Sequence, residues 1–348
     1  MPFQASLDRA KWTFVTRRVE RSRIVRHDTD FAAARPGDLI LAHVDKLGQH
    51  RRVQLPSGRP SFIFPGDAVV MACGARYAPD QFEGLAEIDP KGADQLAGGG
   101  CIGRMVARNS QIKPATRLMP AARLLDAAGR AVNLADFALA PRPGAPRPPV
   151  IGVLGTSMNS GKTLAMAQLV LGLRRAGFRA GALKITGTGA FGDYNEYCDS
   201  GAHYVGDFTD AGMVTTYREP LDRIKTAAEL LIAEAGHQGC EIVVMEVADG
   251  LLQRETAALI ADPWLNDLLS GLVFASGDAV AAVGGVAILA RHGLKPDAVT
   301  GMLSCSPMAS AEAGGATGLP VLTRADLADP AEATGFALRA GLGRKEAA

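Results

Sequence analysis

Residues 150–177 read VIGVLGTSMNSGKTLAMAQLVLGLRRAG: an apolar run, a polar loop and a longer apolar run that closes at Gly177. The first run predicts a buried strand, and the second predicts a helix. A loop that ends in Gly161-Lys162-Thr163 between them is typical of phosphate binding, because its backbone N–H groups and the helix N-terminus attract anions. We expect Lys162 to reach the β- and γ-phosphates of a nucleotide and Thr163 to complete a magnesium shell.

The chain after this loop continues to alternate apolar strands with helical segments. The segments concerned are AGALKI (180–185), LDRIKTAAELLIAEAG (221–236), EIVVMEV (241–247) and GLVFAS (271–276). Continuous apolar strands alternating with helices indicate an α/β domain whose mostly parallel sheet is covered by helices on both faces. We therefore assign a P-loop NTPase domain to residues 150–348.

The chain before this domain has a different pattern. Residues 141–149, PRPGAPRPP, hold five prolines and are interpreted as an interdomain linker. Residues 1–140 contain short strands separated by turns, which predicts a small β-rich, barrel-like domain. Its polar residues form no catalytic pattern, and a role in substrate recognition is the hypothesis for it. Two groups of polar residues lie close together in sequence, and the pattern of neither indicates a particular reaction. The first is His43, His50 and Arg51, and the second is Tyr77, Asp80 and Glu83.

Composition limits the classes of partner and compartment. The 37 Lys and Arg against 36 Asp and Glu leave a formal charge of +1, which disfavours nucleic acid or an anionic membrane as partner. The five Cys residues show no CxxC pair, so neither a disulfide framework nor a zinc site is expected. Charged residues at the N-terminus, and apolar runs too short to span a bilayer, favour a cytoplasmic protein.

Carboxylates follow two of the predicted strands. Glu246 ends the apolar run that begins at Ile242, so it emerges at the carboxyl edge of the sheet, where open α/β sheets bind ligands. A carboxylate there needs a cation, and magnesium beside Thr163 is the expected one. The polar, glycine-rich stretch 186–210 follows the second strand and is interpreted as a substrate-binding insertion or lid. Within it, Asp193 and Asp199 are candidates for substrate or magnesium contact, His203 is a possible general base, and Cys198 is a free thiol.

The pattern Gly155-Thr156-x-x-x-x-Gly161-Lys162-Thr163 resembles the loop of dethiobiotin synthetase and its relatives, the cobyrinic acid amide-synthase-like ATPases. These belong to the wider group that includes MinD/ParA-type ATPases. The resemblance extends over roughly residues 150–325. It implies that Lys184, at the end of the second strand, contacts substrate. It also implies that Glu246, in a segment similar to the family's Glu-Gly-Ala-Gly-Gly, serves the magnesium.

Several positions depart from these families. The first glycine of the loop stands at 155 instead of 156, Ser157 replaces an acidic residue, and Asp249-Gly250 replaces a glycine pair. Ser304 or Cys305 occupies the place where the relatives offer an asparagine to adenine. An Asn-Lys-x-Asp motif for guanine is absent from the sequence, and 294–297 is interpreted as a turn. We therefore expect ATP, with Mg²⁺, as the cofactor.

The resemblance implies an ATP-dependent ligase or synthetase that activates a small carboxylate, carbamate or amine by γ-phosphoryl transfer. A small-molecule kinase and a MinD/ParA-like nucleotide switch acting on a protein partner remain as alternatives. A homodimer is also implied by the resemblance. The predicted catalytic residues are Lys162, Lys184, Glu246 and Asp193. The predicted nucleotide-binding residues are Gly155, Thr156, Ser157, Met158, Asn159, Ser160, Gly161, Lys162, Thr163 and position 164.

Overall fold

A computed structural model describes residues 3–343 of the chain. The chain divides into two compact units. The first comprises Met1–Leu139, Gly187–Gly192 and Phe208–Glu219, and the second comprises Ala140–Thr186, Asp193–Asp207 and Pro220–Ala348. The two short segments of the first unit come from the half assigned to the P-loop domain, so the spatial division differs there from the predicted division at 141–149. Composition changes along the chain mark a linker, but they do not indicate where a later segment packs.

The first unit is built on a sheet that closes on itself. Five strands form the ring in the order β6-β3-β11-β9-β10, with β10 pairing back to β6. Closure removes the exposed edges that an open sheet would leave. The elements of this unit are α1 (Phe3–Arg9), β1 (Lys11–Trp12), β2 (Arg26–Asp28), β3 (Leu39–Lys46), β4 (Arg52–Gln54), β5 (Pro60–Phe62), β6 (Ala68–Cys73), β7 (Arg76–Tyr77), β8 (Phe82–Leu85), β9 (Ala93–Ala97), β10 (Cys101–Arg108) and β11 (Thr116–Leu125).

Alternate residues of the ring strands enter two different cores. In β3, Leu39 and Leu41 belong to one cluster of buried side chains, whereas Ile40 and Ala42 belong to another. Successive side chains of a strand point to opposite faces, so both faces of this strand are buried. The β4–β5 hairpin forms a separate two-stranded sheet, with Val53 opposite Ser61.

The second unit contains a six-stranded sheet in the order β14-β13-β15-β12-β16-β17, in which every pair is parallel. Parallel strands bring their carboxyl ends to one edge, where ligands of such sheets bind. Its elements are β12 (Val150–Gly155), α2 (Lys162–Arg175), β13 (Ala180–Lys184), α3 (Phe191–Asp199), β14 (Tyr204–Asp207), α4 (Leu221–His237), β15 (Ile242–Glu246), α5 (Arg254–Ala261), α6 (Pro263–Leu268), β16 (Leu269–Ala275), α7 (Ala279–Arg291), β17 (Ala298–Thr300), α8 (Pro307–Thr317), α9 (Arg324–Leu327) and α10 (Pro330–Arg339). The first two residues of α3 are assigned to the first unit.

Helices cover both faces of this sheet. The helix α2 packs with α10 over Val153 and Val244, which lie in one buried cluster. On the opposite face, Gly285 of α7 lies against the ring of Phe274. Val273, the residue before Phe274 in β16, belongs instead to the buried cluster under α2. Successive side chains of a strand point to opposite faces of the sheet, so the two residues pack against different helices. These features confirm the predicted fold class: an α/β unit with a parallel sheet covered by helices, preceded in sequence by a β-rich, barrel-like part.

The proline-rich segment is held against α4. Arg142 donates a hydrogen bond to Glu234 over 2.7 Å, and Arg147 donates one to Glu229 over 2.8 Å. A Cβ atom at Gly236 would lie 1.8 Å from the carbonyl oxygen of Pro146, so only glycine permits this close approach. The segment thus belongs to the second unit and is fixed along its helix.

All five cysteines are free thiols. None of the helices between residues 3 and 343 is both long enough and apolar enough to cross a membrane.

Candidate functional site: the loop between β12 and α2

The glycine that departs from the usual loop spacing is the last residue of β12. Gly155 pairs with Ala275 of β16, and a Cβ atom there would lie 2.4 Å from Ser160 Oγ and 2.7 Å from Lys162 Cγ. The missing side chain therefore leaves the space through which the lysine side chain passes. Thr156 follows it and donates its N–H to the Ala275 carbonyl over 3.0 Å.

The loop turns into α2 through residues in the left-handed region. Asn159 has φ 62°, and Gly161, which caps the helix, has φ 98°. The back of the loop is held by the segment after β17, because Met302 donates its N–H to the Ser160 carbonyl over 3.0 Å. Ser160 Oγ is buried and has no hydrogen-bond partner among the described residues, which is the condition expected of a group that meets a ligand. Position 164 is leucine and offers only its backbone.

Lys162 is buried within the loop. Its ammonium donates a hydrogen bond to the Ser157 carbonyl over 2.7 Å. Burial lowers the pKa of Lys162, and the negative charges of Glu246 and Asp249 oppose that change. A partly desolvated ammonium held by one neutral acceptor is prepared to bind a more strongly negative group.

Four polar side chains meet at the carboxyl edge of the sheet beside this lysine. Thr163 Oγ1 lies 3.2 Å from Asp193 Oδ1 and 3.2 Å from Glu246 Oε2. The ammonium of Lys184 forms a salt bridge with Asp193 and lies 3.9 Å from Glu246 Oε1. The register explains the meeting, because Lys184 and Glu246 are directly opposite each other on adjacent strands. Tyr197 completes the cluster by donating its phenol hydrogen to Glu246 Oε2.

The charges of the cluster stabilise one another. Burial alone would raise the pKa of Asp193, but the adjacent Lys184 ammonium overcomes it and holds this pKa below its usual range. Burial likewise acts to lower the pKa of Lys184, yet Asp193 and Glu246 raise it. Burial, and then the two carboxylates, raise the pKa of Tyr197, which remains a donor at neutral pH. The site therefore holds ionised groups of both signs.

The donor set fits a nucleotide and Mg²⁺. Magnesium is bound in proteins by one or two carboxylates together with phosphate oxygens and water, so Thr163, Glu246 and Asp193 supply oxygens of the right kind. Among residues 3–343, no group of three or more His, Cys, Asp or Glu side chains is arranged to bind a metal ion by itself. Magnesium bound together with a nucleotide does not need such a group, because phosphate oxygens and water complete its coordination. The unpartnered Ser160 hydroxyl, noted above, also suits a phosphate oxygen.

The turn after β15 approaches the loop from the other side. Asp249 has φ 64°, and a Cβ atom at Gly250 would lie 2.4 Å from the Thr156 carbonyl. Asp249 is close enough to Lys162 and Lys184 to raise the pKa of each. The departure from a glycine pair thus adds a third negative charge to the site.

Other predicted residues lie elsewhere. His203 precedes β14, at the amino edge of the sheet, where its Nε2 lies 2.9 Å from the Gln238 carbonyl, so the general-base hypothesis for it is wrong. Asp199 is exposed at the end of α3, six residues and nearly two turns beyond Asp193. Burial raises the pKa of Cys198, which keeps its thiol protonated. Ser304 donates to the Gly301 carbonyl over 2.8 Å, while Cys305 is exposed.

The stretch interpreted as a polar insertion contains a helix, α3, and this is why Tyr197 was missed. Asp193 and Tyr197 are four residues apart, so a helix places them on one face toward Glu246. The spacing is visible in the sequence, but the stretch around it is polar and rich in glycine, and it lacks the apolar periodicity that indicates a helix. Residues 294–297 lie in the irregular segment before β17, just after a turn at 292 and 293, and Asp297 accepts the N–H of Leu272 over 2.8 Å.

Comparison with protein-family models found no match, and comparison with curated proteins found none either. Among solved structures, the signal recognition particle 54 kDa protein from Aeropyrum pernix K1 in complex with GDP matches 57% of this chain and 50% of its own, with 17% identity and a TM-score of 0.36. The signal recognition particle receptor FtsY from Elizabethkingia anophelis matches 57% of each chain, with 12% identity and a TM-score of 0.33. The chain thus spans about half the length of these proteins.

Proposed function

We propose that this protein is a MgATP-dependent enzyme of the ligase or synthetase type, similar to dethiobiotin synthetase, that activates a small carboxylate, carbamate or amine. The observation that carries the proposal is Lys184. It is a second ammonium, held at a strand end by Asp193 and Glu246, beside the loop that contains Lys162. A loop lysine serves the nucleotide, and a second fixed cation suits the group that receives phosphate.

Each residue then has a task. The backbone N–H groups of the loop after Thr156 and the N-terminus of α2 would hold the phosphates, with Lys162 beside them. Thr163, Glu246 and Asp193 would hold Mg²⁺, and bound MgATP would supply the phosphoryl group. Lys184 would steady the negatively charged acceptor. Tyr197 would keep the Glu246 carboxylate in place, since its hydroxyl occupies one of the carboxylate oxygens.

The choice of ATP over GTP also remains a proposal. The sequence 294–297 that most resembles a guanine-binding motif uses Asp297 to hold the backbone of β16, with Arg339 3.4 Å away. This carboxylate is therefore already engaged. Parallel titrations with ATP and GTP test the choice, and tighter binding of GTP would reverse it.

The central experiment measures MgATP turnover by the purified protein, alone and with a deproteinised small-metabolite extract. Lys162→Ala serves as the blank, and Lys295→Ala, an exposed lysine remote from the loop in sequence, is the matched control. We expect metabolite-dependent ADP release that is lost in Lys162→Ala and unchanged in Lys295→Ala. Fractionation of the extract then identifies the acceptor.

The products separate the enzyme classes. Ligation releases inorganic phosphate together with ADP, whereas a small-molecule kinase leaves the phosphoryl group on its product. Tight ATP binding without stimulation by any metabolite would contradict the enzyme proposal and favour a nucleotide switch with a protein partner. Turnover retained by Lys162→Ala would show that this loop is not the catalytic one.

A further inference from the structure

The first unit contains a cavity of its own, beside the β4–β5 hairpin. Its volume is about 510 Å³, within the usual range of small-molecule sites. It combines two arginines, two glutamines and a histidine with an aromatic ring and a proline. The lining residues are Gln49, His50, Arg51, Arg52, Gln54, Pro60, Gly98 and Phe191.

The charge of this lining is entirely positive. Arg51 and Arg52 are exposed, and among residues 3–343 neither forms a salt bridge with a carboxylate. Arg52 is held over the ring of Phe62, 4.2 Å from its centroid. Two guanidinium groups at one cavity that form no salt bridge favour a negatively charged occupant, because each presents a planar fork of N–H donors.

The two glutamines add donors of fixed orientation. The backbone N–H of Phe191 donates to Gln54 Oε1 over 2.7 Å, and that of Lys113 donates to Gln49 Oε1 over 3.3 Å. With each amide oxygen engaged by the backbone, the NH₂ group of each side chain is the part left for a ligand. The polar lining therefore offers donors, which an acceptor-rich group would satisfy.

His50 adds a polar edge without adding charge. Burial, followed by the positive charge of Arg76, lowers its pKa to about 4, so the imidazole is neutral at pH 7. Its Nδ1 is buried without a hydrogen-bond partner among the described residues. Phe191 and Pro60 supply apolar surface to the same cavity, which suits an organic body attached to the anionic group.

We infer that this cavity binds a small organic carboxylate, with Arg51, Arg52 and the amide groups of Gln49 and Gln54 receiving the carboxylate oxygens and Phe191 contacting the organic part. The site lies wholly in the first unit and is distinct from the phosphate-binding loop. Its test therefore needs no nucleotide, and failure of the proposed ATP chemistry would leave it unaffected.

The test is ligand-observed NMR and calorimetric titration of the full chain, without nucleotide and at low ionic strength. The probes are benzoate, glutarate, benzamide and inorganic phosphate. Benzamide has the size of benzoate without its charge, and phosphate has the charge without the organic body. We expect benzoate or glutarate to bind at least 10-fold more tightly than both benzamide and phosphate.

Variants locate the binding. Arg51→Gln/Arg52→Gln should weaken carboxylate binding at least 10-fold, whereas Arg59→Gln, in the turn of the same hairpin, should leave it unchanged. Gly98→Val keeps every charge but fills the cavity: a Cβ atom there would lie 3.7 Å from Gln54 Nε2, an ordinary contact. Loss of binding in Gly98→Val therefore separates a cavity site from general attraction to a basic surface.

Each contrary result overturns the inference. Equal binding of benzamide would make the cavity an apolar site, and equal binding of phosphate would make it a site for inorganic anions. Carboxylate binding that survives Gly98→Val would place the ligand on the outer surface. Absence of binding by every probe would mean that the cavity is not a carboxylate site. Thermal unfolding of each variant, compared with wild type, confirms that it is folded.

Discussion

The phenol of Tyr197 donates a hydrogen bond to the carboxylate of Glu246. The two residues are 49 positions apart in the sequence, and both are almost completely buried. Glu246 Oε2 also lies 3.2 Å from Thr163 Oγ1, so the tyrosine helps to fix the carboxylate that faces the loop. The contact is carried by the helix α3, which lies within the stretch interpreted from sequence as a polar, glycine-rich insertion.

Tyr197→Phe should lower the free energy of unfolding by about 1–3 kcal/mol, because a buried carboxylate loses a donor. The measurement is urea unfolding of Tyr197→Phe, Glu246→Gln and the double variant. A coupling of about 1 kcal/mol or more between the two changes is expected. Additive effects would mean that the hydroxyl and the carboxylate do not interact.

Gly155→Ala should weaken nucleotide binding at least tenfold and lower the free energy of unfolding by about 1–3 kcal/mol. The new methyl group would contact Ser160 Oγ, Lys162 Cγ and, at 2.9 Å, the Ala275 carbonyl, and the last of these belongs to a fixed backbone. Titration with a fluorescent ATP analogue gives the affinity. Gly277→Ala is the control, since a Cβ atom there meets nothing within 4 Å. Wild-type affinity in Gly155→Ala would show that the lysine has another path into the loop.

His50 should make the stability of the protein depend on pH. Its folded pKa of about 4 is below the ordinary value of 6.5, so its contribution is complete above pH 6.5 and is lost as the pH falls through 4. The loss is roughly 3–4 kcal/mol. Chemical unfolding at several pH values should give a steeper decline for wild type than for His50→Gln in this window. Parallel curves would mean that the folded imidazole titrates normally.

We also expect a homodimer in the presence of MgATP. Three large apolar side chains that follow strand ends at the loop edge of the sheet are highly exposed: Leu252 at 82%, Val280 at 83% and Met308 at 77%. Val280→Asp/Met308→Asp should weaken association, whereas Val25→Asp, an exposed residue of the first unit, should not. Sedimentation equilibrium of wild type should give twice the chain mass of 36.3 kDa. A species of single-chain mass would contradict the prediction.

Much of the second unit followed from local pattern. The β12 strand, the loop and α2 lie where residues 150–177 predicted them, and Glu246 ends its strand at the carboxyl edge as expected. Both depend on periodicity and on the fixed geometry of parallel strands, which a sequence expresses directly. For the first unit, the sequence predicted a β-rich, barrel-like domain but not the order of its strands. Pairing between strands that are distant in sequence leaves little trace in either strand alone.

The sequence by itself thus determined the loop between β12 and α2, the strand that presents Glu246 and the alternation that builds a parallel sheet. Only the tertiary structure decided which side chains join them. Lys184 meets Glu246 because β13 and β15 are adjacent. Asp193 and Tyr197 reach the same group because both lie on the helix α3. The tertiary structure also placed Gly187–Gly192 and Phe208–Glu219 in the first unit. The physical reason is that periodicity reports how a segment folds, whereas contacts between segments depend on packing across the whole chain.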